Sequence, residues 1–137
     1  MTSQEQLQEE VRNIALALEA VAQGRYNFYT CEIADDDTDI DEAECNDDNY
    51  ESDFDGGFAR YFEDALDIEY HVDSQLHYRG AIITVAVGGP SIYVDTYKGE
   101  VVGLWWSDKA TAYIWHTTAN AIDDFFEEEY NCLRGCY

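Results

Sequence analysis

Thirteen of the twenty-four residues 32–55 are Asp or Glu, and no Lys or Arg falls anywhere in residues 26–59. A block of one sign has no local counter-charge, so its field acts on whatever approaches from outside. Three chemistries suit such a line of carboxylates. It can meet the Lys and Arg that ordinarily grip phosphates, because duplex DNA carries about one negative charge per 1.7 Å of axis. It can ligate a hard cation through oxygen. Or it can do no more than keep the chain in solution. The residues assigned to contact a basic partner are Asp35, Asp36, Asp37, Asp39, Asp41, Glu42, Glu44, Asp47, Asp48, Glu51, Asp53 and Asp55. Tyr50 and Phe54, inside the same block, would add apolar contact area.

The cation reading is tested by spacing. Glu51, Asp53, Asp55 and Gly56 fall at positions one, three, five and six of an EF-hand-like loop, and Phe58 falls at the apolar eighth. The twelfth position, where a bidentate Glu is needed, is Phe62. Loops begun at Asp35 or Asp37 have acids at suitable spacing but no Gly at the turn. Weak divalent binding is therefore expected rather than a specific calcium site. For zinc, Cys132 and Cys136 stand four apart and His116 lies sixteen residues before Cys132. Neither a two-residue Cys spacing nor a matching His pair is present. The three histidines, His71, His77 and His116, accompany no nucleophile elbow, phosphate loop or zinc-protease helix. With so many carboxylates, acid pairs arise by chance, and spacing alone defines no glycosidase-like pair. No catalysis, cofactor or metal is expected. Gly88-Gly89-Pro90-Ser91 lacks the Lys and helix start of a phosphate cradle and is expected as a turn.

The elements that must carry these residues follow from periodicity. Leu7, Val11, Ile14, Leu18 and Val21 alternate spacings of four and three, predicting a helix over 3–22 capped by Ser3 and stopped by Gly24. A short strand is expected within 26–33, then the acidic block as an extended loop. Phe58, Tyr61, Phe62 and Leu66 give a short helical pattern. Ile68, Tyr70 and Val72 alternate as a strand, and residues 78–88 form the strongest strand, expected to be buried on both faces. Strands over 91–96, 101–106 and 110–115 follow, with a tight hairpin at Lys98-Gly99. Trp105, Trp106 and Trp115 are assigned to a core cluster, with the alternative that one of the adjacent pair projects outward. A last helix near 118–131, capped by Thr117 or Thr118, presents Ile122, Phe125, Phe126 and Tyr130 inward. It presents Asp123, Asp124, Glu127, Glu128 and Glu129 as a second acidic surface. The expected fold is one α+β domain over 1–137: an antiparallel sheet of four or five strands with an N-terminal and a C-terminal helix.

Composition narrows the partners. The 137 residues hold seven Lys plus Arg against thirty Asp plus Glu, a formal net charge of -23. Phosphate repels such a surface, so neither free nucleic acid nor an anionic membrane face is an expected partner. At 46% hydrophobic and 15% aromatic, the chain has the means to bury a core despite its charge. Residues 1–10 show no basic stretch followed by an apolar run. No signal peptide is expected, and the four cysteines are expected as thiols in a cytoplasmic protein.

The acidic block 32–55 and the acidic helix face 123–129 resemble those of small anti-defence proteins of phages and plasmids, the anti-CRISPR and antirestriction inhibitors, many of which are compact acidic DNA mimics. The segments GGPSIYVDT at 88–96, GEVVGLWW at 99–106 and AIDDFFEEEYN at 121–131 also look like small uncharacterised mobile-element proteins. The first resemblance implies a non-enzymatic inhibitor in the bacterial host cytoplasm. It would occlude the basic nucleic-acid-binding groove of a CRISPR nuclease such as Cas9, or else of a restriction enzyme. The alternatives are a haloadapted surface, a cation-binding module, or an acidic protein that shields a basic partner. Crowding of thirteen acids into one segment argues against a haloadapted surface, which would scatter them.

Overall fold

The computed structural model of the chain describes residues 2–34 and 56–133. Helix α1 (Ser3–Ala22) turns Leu7, Val11, Leu18 and Val21 into the core as the spacing requires, with Ala15 buried in the middle of the stripe and Ile14 only half-buried. Its cap is Thr2 rather than Ser3. The Thr2 hydroxyl accepts from the Glu5 amide at 3.2 Å, and Glu5 Oε2 accepts from the Thr2 amide at 3.2 Å. The reciprocal box takes Glu or Gln three residues after the cap, so Thr2 with Glu5 and Ser3 with Gln6 both have the spacing, and the chain uses the first. Gly24 follows the Gln23 C-cap with φ +71°.

The single strand expected within 26–33 is instead a hairpin of two short strands, β1 (Tyr26–Asn27) and β2 (Glu32–Ile33). Asn27 breaks the run: its Oδ1 accepts from the Tyr29 and Thr30 amides at 2.9 and 3.0 Å, folding the chain back. After residues 35–55, helix α2 (Gly57–Tyr61) seats Phe58, and Phe62 just beyond it, in the core. Leu66 lies past the helix and is exposed.

Five strands then form an antiparallel meander in chain order: β3 (Asp67–Val72), β4 (Tyr78–Ala86), β5 (Ser91–Asp95), β6 (Glu100–Trp105) and β7 (Asp108–Tyr113). The fold is α+β, as expected. Helix α3 (His116–Leu133) closes the chain and begins two residues before the expected start, so Thr117 and Thr118 lie inside its first turn. One face of the sheet carries Ala81, Ile83, Ile92, Val94, Val101 and Ala110 into a cluster shared with α1, α2 and α3. The opposite side of β4 is only half-buried at Ile82 and Thr84, so that strand is not enclosed on both faces. Close packing of α1 on β6 depends on Gly103, where a Cβ would lie 2.7 Å from Leu7 Cδ1 and 2.8 Å from Val11 Cγ1.

The tryptophans do not form a core cluster. Trp105 packs against the core, whereas Trp106 is 93% exposed and Trp115 is exposed. Trp105 pairs with Asp108, so Trp106 and Ser107 are the two-residue connection between β6 and β7. Trp106 takes φ +57°, the left-handed region that suits glycine or asparagine.

Candidate acidic binding face

The acidic side chains of α3 take their places from two aromatic and apolar anchors beneath them. Ile122 and Phe126 are fully buried, with Phe126 tilted against Phe62 at 5.4 Å between ring centroids. Phe125 is half-buried rather than central to the core. Further along, Tyr130 stacks obliquely on Tyr70 and Tyr78, at 5.4 and 6.2 Å, and donates its hydroxyl to the Leu76 carbonyl at 2.7 Å. Tyr78 donates its hydroxyl to Asp123 Oδ1 at 2.7 Å. These contacts fix the helix against β3 and β4, so its outer face is a rigid platform.

Asp123 is thus partly buried and engaged, which removes it from the fully outward set. Asp124, Glu127, Glu128 and Glu129 are exposed. At 1.5 Å rise per residue Asp124, Glu127 and Glu128 lie along about 6 Å of axis on the outer face, one per roughly 3 Å, while Glu129 lies further round the helix beside Tyr70 and Phe126. That spacing is close to the roughly 3.4 Å per charge along one strand of DNA. The surroundings register this field: burial first, and then the Glu129 carboxylate, push the Tyr70 phenol upward. Burial and the Asp123 carboxylate likewise hold the Tyr78 proton far more tightly than usual.

The other acids spread over the folded body. Eighteen of the thirty lie on described residues, against six Lys and Arg. Glu5, Glu9 and Glu10 are exposed on α1, and Glu32 is exposed on β2, where the acidic block begins. Asp73 has local partners. It accepts from the His77 and Gln75 amides at 2.9 Å, and Arg79 lies 3.2 Å from its Oδ2. The backbone donors above all, with the nearby His77 and Arg79 charges, hold its carboxyl below the usual range.

The twelve residues assigned to a basic partner, Asp35 to Asp55, lie outside the described residues. Of the calcium-loop positions, Gly56 opens α2, and Phe58 and Phe62 are core side chains. His71 Nε2 lies 3.4 Å from Glu69, His77 Nδ1 lies 3.5 Å from Asp73, and His116 begins α3. Cys31 and Cys132 are free and exposed. Among the described residues there is no group of three or more His, Cys, Asp or Glu arranged to hold a metal ion. No helix among them is long and apolar enough to cross a membrane. Comparison with protein-family models, with curated proteins and with solved structures found no match.

Proposed function

We propose that this protein is an acidic DNA mimic. It blocks the basic nucleic-acid-binding groove of a bacterial defence nuclease in the host cytoplasm, foremost an anti-CRISPR role against Cas9 and otherwise an antirestriction role. The observation that carries the reading is the outer face of α3, where the exposed carboxylates of Asp124, Glu127 and Glu128 repeat at nearly the linear density of one DNA strand on a helix fixed by its buried side. Residues 32–55 supply thirteen more acids in a continuous stretch free of Lys and Arg. Groove arginines and lysines that pair with phosphate can pair with carboxylate instead, through charge-assisted hydrogen bonds. No bond is made or broken, so the protein acts by occupancy and needs no cofactor. The other thirteen acids on the folded body are what a solubilising surface would also provide; the crowding at 32–55 and 124–129 is what such a surface does not require.

The test is neutralisation. Asp35, Asp36, Asp37, Asp39 and Asp41 changed together to Asn form one variant. Asp124→Asn with Glu127→Gln and Glu128→Gln forms the other. Association with guide-loaded and with empty Cas9 is followed by surface plasmon resonance. Steered association runs at roughly 10⁸ M⁻¹s⁻¹ or more and unsteered association at roughly 10⁵–10⁶ M⁻¹s⁻¹. Both variants are expected to bind more slowly than the parent at low salt, and the differences to shrink near 0.5 M salt, roughly where charges are screened within several ångströms. Parent-like association by both variants would contradict the proposal.

A further inference from the structure

At the end of the sheet opposite the Trp106 hairpin lies a cavity of about 310 Å³. It is framed by β4, the β5–β6 turn, the end of β7 and the start of α3. Cations are scarce in this chain, yet Arg79 and Lys98 line this one space from two different elements, with the His116 ring beside them from a third. Arg79 and Lys98 are two of the six Lys and Arg among the described residues. Asn120, one turn into α3, adds a side-chain donor to the same wall.

The negative groups near it are already engaged. Asp123 lines the cavity, but its Oδ1 takes the Tyr78 hydroxyl at 2.7 Å. Asp73 holds one side of Arg79 at 3.2 Å, and a guanidinium has five N–H donors to distribute. Asp95 sits at the base of the Lys98 turn, where its Oδ1 accepts the Lys98 amide at 3.2 Å. The first turn of α3 carries no acid, although the helix is acidic further on. Two aromatic rings also border the cavity: Tyr97 and Tyr113 are 71% and 74% exposed. Large open rings beside a polar recess are what a flat ligand requires, since offset stacking needs an accessible ring face.

We infer that this cavity binds a nucleoside monophosphate. The phosphate lies among Arg79, Lys98 and His116, and the base rests against Tyr97 or Tyr113. The volume is at the small end of ligand sites, which run from about 300 to 1,000 Å³. Charge selects the size of the ligand. Charges beyond about 8 Å are screened at physiological salt, so a single nucleotide responds mainly to the groups of the cavity itself, where Arg79 and Lys98 stand against Asp123 and their own partners Asp73 and Asp95. A polymer would extend over the carboxylates of the rest of the surface and be repelled. The site borders the acidic face at Asp123 but does not depend on the inhibitor proposal.

The probes are AMP, inorganic phosphate and adenosine, titrated into the full chain by calorimetry with ³¹P resonance as a second readout. AMP is expected to saturate and to bind more tightly than either fragment. Lys98→Ala, in an exposed turn, is expected to weaken AMP by about tenfold, the loss of a hydrogen bond to a charged group. Lys109→Ala changes the net charge equally, away from the cavity, and is expected to leave affinity unchanged. Tyr97→Ala is expected to weaken AMP but not phosphate. Thermal melts confirm that each variant is folded. Absence of saturable AMP binding at millimolar concentration would overturn the inference. So would equal weakening by Lys98→Ala and Lys109→Ala, or phosphate binding as tight as that of AMP.

Discussion

Trp106 offers the sharpest separation of what the fold needs from what a partner needs. It occupies the left-handed region at φ +57° in the connection between β6 and β7, and its ring is 93% exposed. A non-glycine residue in this region costs roughly 1–2 kcal/mol. Glycine relieves that strain but loses more chain entropy on folding, about 0.5–1 kcal/mol. Little burial is forfeited by removing a ring already in water. Trp106→Gly should therefore stabilise the protein by about 0.5–1 kcal/mol. With about 2.1 cal/mol/K of unfolding entropy per residue, the 137-residue chain should melt roughly 2–3 °C higher. Trp106→Asn, which tolerates the same region without glycine's entropy loss, should melt at least as high. Differential scanning calorimetry at neutral pH is the assay. A fall in Tm for both variants would refute the reasoning, because it would mean that the ring contributes packing outweighing the backbone strain. A residue that the fold disfavours and leaves exposed is suited to anchoring a partner, where Trp is a frequent hot spot. Under the proposed function the stabilised variants should also bind the nuclease less tightly.

Phe126→Ala should cost about 3–5 kcal/mol in urea unfolding, since the ring is fully buried, and Phe125→Ala should cost clearly less. Gly103→Ala should destabilise by about 1–3 kcal/mol, because its methyl would press on Leu7 and Val11 and force α1 away from β6. Alkaline stability follows from the tyrosines. Burial above all, with the neighbouring Cys31, pushes Tyr26 up to about 12, and burial raises Tyr61 and Tyr78 as well. An unfolded phenol ionises near 10, so between about pH 10 and 12 the unfolded chain releases protons that the folded chain retains. Their contribution to stability is complete below about pH 10 and drains as pH rises. Melts between pH 8 and 11 should show a plateau and then a decline, and a Tm that rises above pH 10 would contradict the assignment.

The meander and both long helices were legible because their apolar spacing is long and regular: α1 spans 3–22 as its heptad-like stripe predicts. Local side-chain chemistry was less legible. The cap lies at Thr2 with Glu5 although Ser3 with Gln6 offers the same spacing, and the β1–β2 hairpin depends on a turn closed by the Asn27 side chain, which periodicity does not encode. Phe125 and Phe126 are adjacent, so the helical pattern admits both, and only the tilt of α3 against Phe62 selects Phe126. Two tryptophans were assigned inward by residue type, whereas the hairpin register places Trp106 at the tip and exposes Trp115 before α3. The acidic helix face was evident from Asp124 to Glu128, but neither the place of Glu129 beside Tyr70 nor the engagement of Asp123 by Tyr78, forty-five residues away, was. Nor was the cavity, which gathers Arg79, Lys98 and His116 from separate elements. Their only trace in the sequence is the scarcity of cations.

Competition with nucleic acid tests the central claim most directly. The same Lys and Arg cannot satisfy phosphates and carboxylates at once. Purified Cas9 is immobilised, with and without its guide RNA and a saturating target duplex, and binding of this protein is measured to each form. Occlusion predicts binding to a form whose groove is open, and loss of that binding once nucleic acid fills the groove. It also predicts no binding of the protein to the duplex alone. Equal binding to the open and filled forms, or no binding to any form of the nuclease, would contradict occlusion of the Cas9 groove.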